Sequence, residues 1–220
     1  MAQRFVSNKD ETARLFKNDF LEFFTHVHFT VPLFLYVPVV LYLFYHAALK
    51  TSITLPAAAG MFVAGVFLWT LTEYVLHRFV FHYHPKSRLG GKIHFLFHGI
   101  HHDYPNDSTR LVMPPVVSLP LALLFGGLFW MIFGPTYFAP TFAGYLVGYL
   151  CYDMIHYATH HFSLKSRAGL WLKHHHMKHH FQNEDRGYGV STPLWDYIFG
   201  TMPPAKQQSP APANLSKSVN

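Results

Sequence analysis

Residues 138–161 read FAPTFAGYLVGYLCYDMIHYATHH, an apolar run that ends in a group of histidines. As a helix, the part from about Phe138 to Ile155 is long enough to cross the roughly 30 Å hydrocarbon core of a bilayer. His156 and His160 follow at positions i and i+4, which places both imidazoles on one face of a helix. The stretch therefore predicts a membrane-spanning helix that delivers two imidazoles to one side of the membrane.

Three further apolar stretches of spanning length precede it, at about residues 29–49, 56–76 and 112–133. Only 13% of the residues are charged, against about 25% in an average soluble protein. The connections at residues 50–55 and 134–137 are short, so the four spans are expected to pair as two tight hairpins. The single cysteine, Cys151, excludes an intrachain disulfide.

The basic residues predict the orientation of these spans. With four spans, 16 of the 17 Lys and Arg residues lie on one side and only Lys50 lies on the other. Basic segments stay in the cytoplasm, so both termini are expected there, at a bacterial inner membrane or the endoplasmic reticulum. The predicted division is an N-terminal interfacial arm at residues 1–28, a membrane domain at 29–201 and a disordered tail at 202–220.

The arm carries phenylalanines at the spacing of one helix face, at positions 16, 20, 23 and 24. This spacing predicts an amphipathic helix. Such a helix would lie in the membrane interface or pack on the protein's own cap, and the pattern fits both positions equally well.

Ten histidines fall in four groups that the predicted topology brings to the same side. In an HxxHH group on a helix, the first and third imidazoles can serve one ion and the second a neighbouring ion. His77 and His82 are five residues apart, so either the helix bends between them or they serve opposite sides of the site. The ten candidate ligands are His77, His82, His98, His101, His102, His156, His160, His176, His179 and His180.

Three carboxylates lie close to these groups in the sequence: Glu73, Asp103 and Asp153. A metal-bound imidazole usually donates the N–H of its other ring nitrogen to an orienting group, and these carboxylates are the expected partners. Seven of the eight other histidines lack the repeated spacing, and surface or supporting positions are expected for them; His94, four residues before His98, could be an outer ligand but is not included in the ligand set. The fold class that follows is an all-α integral membrane protein, with four transmembrane helices and a cytoplasmic helical cap holding a poly-histidine dimetal site.

The ligand type leaves several metals open, because imidazole suits iron, zinc, copper and nickel. Ten imidazoles are too many for one four-coordinate zinc site but enough for two ions with about five ligands each. A redox metal pair beside saturated hydrocarbon favours oxidation of a C–H bond, whereas a hydrolytic zinc site remains an alternative. No catalytic residue beyond the metal centre is predicted.

Four segments carry a resemblance to a known family: WTLTEYVLHRFVFHYHP, HFLFHGIHHDYPND, LCYDMIHYATHH and HHMKHHFQNEDRGYGVSTPLWDYIFGT. They resemble the fatty acid hydroxylase and sterol desaturase superfamily, and most of all the catalytic domain of sphingolipid fatty acid 2-hydroxylases. The resemblance implies two iron ions held by the ten histidines, with zinc possible in the purified protein, and dioxygen as co-substrate. It also implies hydroxylation at C2 of a long acyl chain, free or in a ceramide.

Eukaryotic members of that family carry a fused cytochrome b5 domain, which this sequence lacks before its first span. A separate electron donor such as cytochrome b5 or a ferredoxin is therefore expected, and nucleic acid is not an expected partner. Two alternatives stay open. One is a sterol, carotenoid or alkane oxidase of the same superfamily. The other is a metal transporter, which is disfavoured because ionisable residues are scarce within the spans.

Overall fold

A computed structural model describes residues 5–204, and within that range the chain is helical with no β-strand. Of the disordered tail predicted at 202–220, residues 205–220 lie outside the described range. The eight α-helices are α1 (Asp19–Phe23), α2 (Val31–Lys50), α3 (Leu55–Leu76), α4 (Arg88–His94), α5 (Ile100–Asp103), α6 (Pro115–His161), α7 (Arg167–Phe181) and α8 (Leu194–Ile198). Two π-helical turns, His77–Phe81 and Phe95–Gly99, interrupt the α-helical geometry before α4 and before α5.

Between residues 5 and 204, three helices are long and apolar enough to cross a membrane: α2, α3 with the π-helical turn that follows it, and α6. A proline stands in the first turn of each, where its missing N–H costs no helical hydrogen bond. Large apolar side chains such as Phe34, Leu123 and Met131 point away from the protein and remain exposed. So much exposed apolar surface is typical of helices surrounded by lipid.

Helix α6 is 47 residues long, but it does not run straight. Gly134 has a φ of 63° and a ψ of 178°, which breaks the helix into segments 115–133 and 135–161. The ring centroids of Phe125 and Tyr145 lie 5.2 Å apart, and those of Phe129 and Phe142 lie 6.1 Å apart. The two segments therefore fold back on each other at Gly134, within the connection predicted at residues 134–137.

Helices α3 and α6 approach so closely that their contact has room only for glycine at two positions. A Cβ atom on Gly65 would lie 2.0 Å from the carbonyl oxygen of Thr141, and one on Gly144 would lie 2.0 Å from that of Phe62. Beside this contact the ring of Trp69 packs edge-on against that of Tyr145. This packing holds fixed the ends of both helices, which carry His77 and His156.

The N-terminal arm is less helical than the phenylalanine spacing predicts. Helix α1 contains five residues, and the side chain of Asn18 caps its N-terminus by accepting from the N–H groups of Phe20 and Leu21. The carboxylate of Glu22 accepts from the N–H groups of Leu15 and Phe16, which holds those residues in a turn outside the helix. The prediction of one helical face that includes Phe16 is therefore wrong.

We expect Gly144→Ala to lower the thermal stability of the detergent-solubilised protein, by about 1–3 kcal/mol, because the added methyl group forces α3 and α6 apart. The measurement is the melting temperature by size-exclusion chromatography after heating. Gly127→Ala is the matched control, since a Cβ at Gly127 meets nothing within 4 Å. Equal melting temperatures for the two variants would contradict the close approach.

Candidate metal centre

The structure brings all ten predicted histidines together, from helices that are far apart in the sequence. Their ring nitrogens form two buried groups, and within each group one nitrogen from every residue lies within 4.8 Å of the others. The first histidine group is His77, His82, His98, His102 and His179, and the second histidine group is His101, His156, His160, His176 and His180. Neither group contains a carboxylate or a cysteine.

Each HxxHH segment divides between the two groups in the way that helix geometry predicts. His98 and His102 enter the first group, whereas His101, between them, enters the second. In α7 the arrangement is reversed, because His176 enters the second group with His180, and His179 enters the first. The rings of His102 and His180 stack at 4.4 Å between centroids, so the two groups are direct neighbours.

A π-helical turn resolves the spacing of His77 and His82. The N–H of His82 donates to the carbonyl of His77 at 3.0 Å, which is the i to i+5 bond of a π-helix. The wider turn brings residues five apart onto one side, and the two ring centroids lie 5.0 Å apart. Of the two possibilities left open by the sequence, the helix geometry changes and both rings reach the same group.

The hydrogen-bond pattern shows that the two groups fit metal cations. The Nδ1 atoms of His77, His156 and His179 each contact a backbone carbonyl, which only accepts, so each Nδ1 carries the proton. The Nε2 atom of each neutral ring is then a bare lone pair.

These lone pairs converge. The Nε2 of His98 lies 3.1 Å from the Nε2 atoms of His77, His82 and His102, yet one ring nitrogen donates at most one hydrogen. The buried Nε2 of His179 has no hydrogen-bond partner among the described residues. A cation bound between the rings would accept these lone pairs, whereas a hydrogen-bond network of neutral rings has too few hydrogens to pair them.

Burial keeps the imidazoles in the neutral form that binds metal. Desolvation, together with the neighbouring rings, lowers the pKa of His98, His176 and His179 well below the ordinary histidine value. It lowers the pKa of His102 to about 3. Metal ligands must be deprotonated, so the site is prepared for a cation at neutral pH.

Backbone carbonyls orient three of the rings. His77 donates to the carbonyl of Tyr188, His156 to that of Leu111 at 2.8 Å, and His179 to that of Arg186 at 2.9 Å. These carbonyls come from two connecting segments, residues 104–114 and 182–193. Sequence reasoning missed them, because every residue has a carbonyl and no residue type marks the ones that matter.

Two of the three carboxylates expected to orient imidazoles, Glu73 and Asp153, have other hydrogen-bond partners in the structure. The Glu73 carboxylate accepts from the backbone N–H of Val190 at 2.6 Å and from Ser191. Asp153 accepts from the N–H of Met113 at 3.4 Å. Within residues 5–204, no histidine ring donates to the side chain of Glu73, Asp103 or Asp153.

Asp196 is a supporting residue that sequence reasoning missed. It is fully buried and accepts from the backbone N–H groups of Tyr188 and Gly189, the hydroxyl of Thr201 and the ring of His175. Burial raises its pKa, but these hydrogen bonds outweigh burial and hold the pKa below the ordinary value. Asp196 thereby fixes the segment that contains the Tyr188 carbonyl. The only sequence signal was its place within the GYGVSTPLWD motif.

The eight remaining histidines, His94 among them, belong to neither group. His26 contacts Glu22 and Thr109 on the arm side, and His84 lies 3.5 Å from Asp185 on the surface. His175 is buried against Asp196, which matches the supporting position expected for it.

A cavity of about 420 Å³ adjoins both histidine groups. His98 of the first group lines it, as do His101 and His156 of the second. Most of the other lining residues are apolar and come from the arm, from the π-helical turn before α5 and from the start of α6, as with Phe16, Leu96 and Val117. The two histidine groups therefore adjoin a space whose lining suits a hydrocarbon chain.

The chain belongs to the fatty acid hydroxylase family, whose model matches residues 62–201. All ten histidines of the two groups fall within the matched residues. The fold and the buried histidine groups are thus those of a membrane hydroxylase, an oxidoreductase.

Several proteins are similar to the chain over most of its length. A dihydroceramide fatty acyl 2-hydroxylase of Arabidopsis thaliana is 40% identical over 197 residues, which is 89% of this chain and 82% of the relative. A fatty acid 2-hydroxylase of Homo sapiens is 41% identical over 217 residues, covering 88% of this chain and 57% of the relative. A solved structure of full-length scs7p, with only the hydroxylase domain visible, has a TM-score of 0.82 at 40% identity and covers 90% of this chain and 75% of that one.

We expect His176→Ala and His179→Ala each to lose about one of two bound metal ions, because each removes a ligand from a different group. The measurement is metal per protein by mass spectrometry of the purified, monodisperse protein. His174→Ala is the control, since His174 is exposed on the same helix. Metal content equal to wild type in His176→Ala would contradict the assignment.

Asp196→Asn should lower the melting temperature clearly, because it removes a buried charge that accepts four hydrogen bonds, each worth about 1.5–3 kcal/mol when charged. The same variant should bind metal less tightly, since the Tyr188 carbonyl loses its fixed position. Asp185→Asn, on an exposed side chain, should change neither quantity. A variant at position 196 with wild-type stability would contradict the anchoring role.

Proposed function

We propose that the chain is a dioxygen-dependent di-iron hydroxylase that places a hydroxyl group at C2 of a long acyl chain in a ceramide or related sphingolipid. The observation that carries the proposal is the apolar cavity that touches both histidine groups. The names of the relatives support the proposal, since those names describe hydroxylases of dihydroceramide, ceramide or fatty acid. A sterol, carotenoid or alkane substrate has no such support.

The ten histidines would hold the metal ions, five for each ion. When bound, a pair of iron ions supplies the redox chemistry that activates dioxygen for attack on an unactivated C–H bond. The imidazoles bring no negative charge, so the ligand set leaves the full positive charge of the ions in the site. The fixed rings of His77, His156 and His179 keep that set in one geometry, as a metal site requires.

The cavity wall orients the acyl chain. Its apolar side chains bind hydrocarbon and exclude water from the reacting carbon. Asp153 also lines the cavity, where its fully buried carboxylate accepts from the backbone N–H of Met113.

The charged side chains that line the cavity favour an amide-linked acyl chain over a free fatty acid. Among the described lining residues, Arg110 alone has a permanent positive charge, and its guanidinium is already paired with Glu22 and Asp107. A free carboxylate would therefore find no unpaired cationic side chain in the cavity wall. A neutral amide head needs none.

The arrangement in the membrane follows from the helices. We propose that α2, α3 and the two segments of α6 each cross the bilayer, giving four spans with the histidine groups and both termini on the cytoplasmic side. Residues 1–28 would form the interfacial arm and 29–201 the hydroxylase domain. Because hydroxylation consumes electrons, a separate donor such as cytochrome b5 or a ferredoxin would dock on the cytoplasmic side.

Lipid mass spectrometry of cells that express the chain tests the proposal. We expect ceramides whose acyl group gains one oxygen atom, with the hydroxyl at C2, and iron in the purified protein. His180→Ala should abolish the product and leave membrane insertion intact. Oxidation at another position, or only of free fatty acids or sterols, would contradict the proposed substrate and position.

A further inference from the structure

The N-terminal arm forms part of the cavity next to the histidine groups. Leu15, Phe16, Leu21 and Phe24 line the cavity with Thr25, opposite side chains that belong to the matched family region. The arm itself precedes that region, which begins at residue 62. One wall of the cavity therefore comes from outside the part of the chain that contains the ten histidines of the two groups.

A buried ion pair fastens the arm. The guanidinium of Arg110, whose side chain is 5% exposed, donates to the carboxylate of Glu22 at 3.0 Å and to the carbonyl of Ala13 at 2.7 Å. It also donates to the hydroxyl of Thr25 at 3.1 Å. The other oxygen of Glu22 accepts from the N–H groups of Leu15 and Phe16. One side chain of the arm thus holds both the turn at Leu15 and the anchor at Arg110.

Further hydrogen bonds attach the arm along residues 103–110. The N–H of Val6 donates to the carbonyl of Asp103 at 2.8 Å, and the N–H of Val27 donates to that of Thr109 at 2.8 Å. Between these points the N–H of Ser108 donates to the carboxylate of Asp10 at 2.9 Å. These contacts attach the arm at three places along one segment of the chain.

We propose that residues 15–25 are a specificity wall, which selects the substrate by the shape of the apolar space beside the reacting carbon. Arg110 and Glu22 are positioning residues that hold this wall, and they belong to neither histidine group. The inference rests on the proposed function, since it assumes that the cavity receives the acyl lipid. It adds that substrate choice is set by the arm, separately from the histidine centre.

The wall is tested by changing its shape. Leu15→Ala combined with Phe16→Ala enlarges the cavity, so we expect the kcat/KM ratio of methyl-branched to straight acyl amides to rise about tenfold or more. Phe20→Ala and Phe23→Ala are matched controls, because both rings are over two-thirds exposed and neither lines the cavity. An unchanged ratio in the double variant, in an enzyme that hydroxylates normally, overturns the proposal. A wild-type enzyme without any hydroxylated product overturns the proposed function instead.

The ion pair is tested by a double-mutant cycle. Glu22→Ala, Arg110→Ala and the double variant should raise KM by similar factors with little change in kcat, because each breaks the same attachment. Binding of a fluorescent polyene fatty amide to the purified protein should weaken in parallel, and the metal content should stay at the wild-type value. Additive effects of the two changes, or loss of metal in the single variants, would show that the pair does not act through the wall.

Discussion

The two histidine groups depend on one constraint: buried imidazoles must present bare nitrogens to one another, and this requires each ring to keep its proton on the other side. In His77, His156 and His179 a backbone carbonyl holds that proton. A carbonyl in a connecting segment is useful only if the segment is immobile. The rest of the structure can be understood as the means of holding two segments, residues 104–114 and 182–193, against the ends of the membrane helices.

Each segment is held by buried carboxylates rather than by apolar packing alone. Glu73 accepts from the N–H groups of Val190 and Ser191, and Asp196 accepts from those of Tyr188 and Gly189. The first segment is held by Asp153 through the N–H of Met113. Because Glu73 and Asp153 stand on α3 and α6, the close glycine-mediated packing of those helices sets the distance between the two segments. The packing of the membrane helices therefore helps to fix the positions of the histidine rings.

The periodicity of the sequence predicted the features that depend on the directions of side chains around a helix. The division of His98, His101 and His102 between two sites follows from the angular spacing of a helix, and the structure has that division. Periodicity did not predict the π-helical turn that begins at His77. In such a turn each backbone hydrogen bond spans one residue more than in an α-helix. Nearness to the histidines in the sequence marked Glu73 and Asp153 as important but gave them the wrong partner. A carboxylate that is near a histidine in the sequence can as easily bind the backbone of a distant segment. The backbone carbonyls themselves leave no trace in the residue types.

The reaction and the choice of substrate depend on different parts of the protein. The histidine groups serve the reaction, and the apolar cavity wall binds the substrate. The histidines and their supports come from residues within the matched family region, and their geometry leaves little freedom for change. The cavity wall made by Leu15, Phe16 and Phe24 has no such constraint, because apolar side chains of different size can fill the same position. An arm attached by a few polar contacts can therefore vary in shape without disturbing a ring nitrogen. A fold of this kind can keep one oxidation chemistry while its substrate changes.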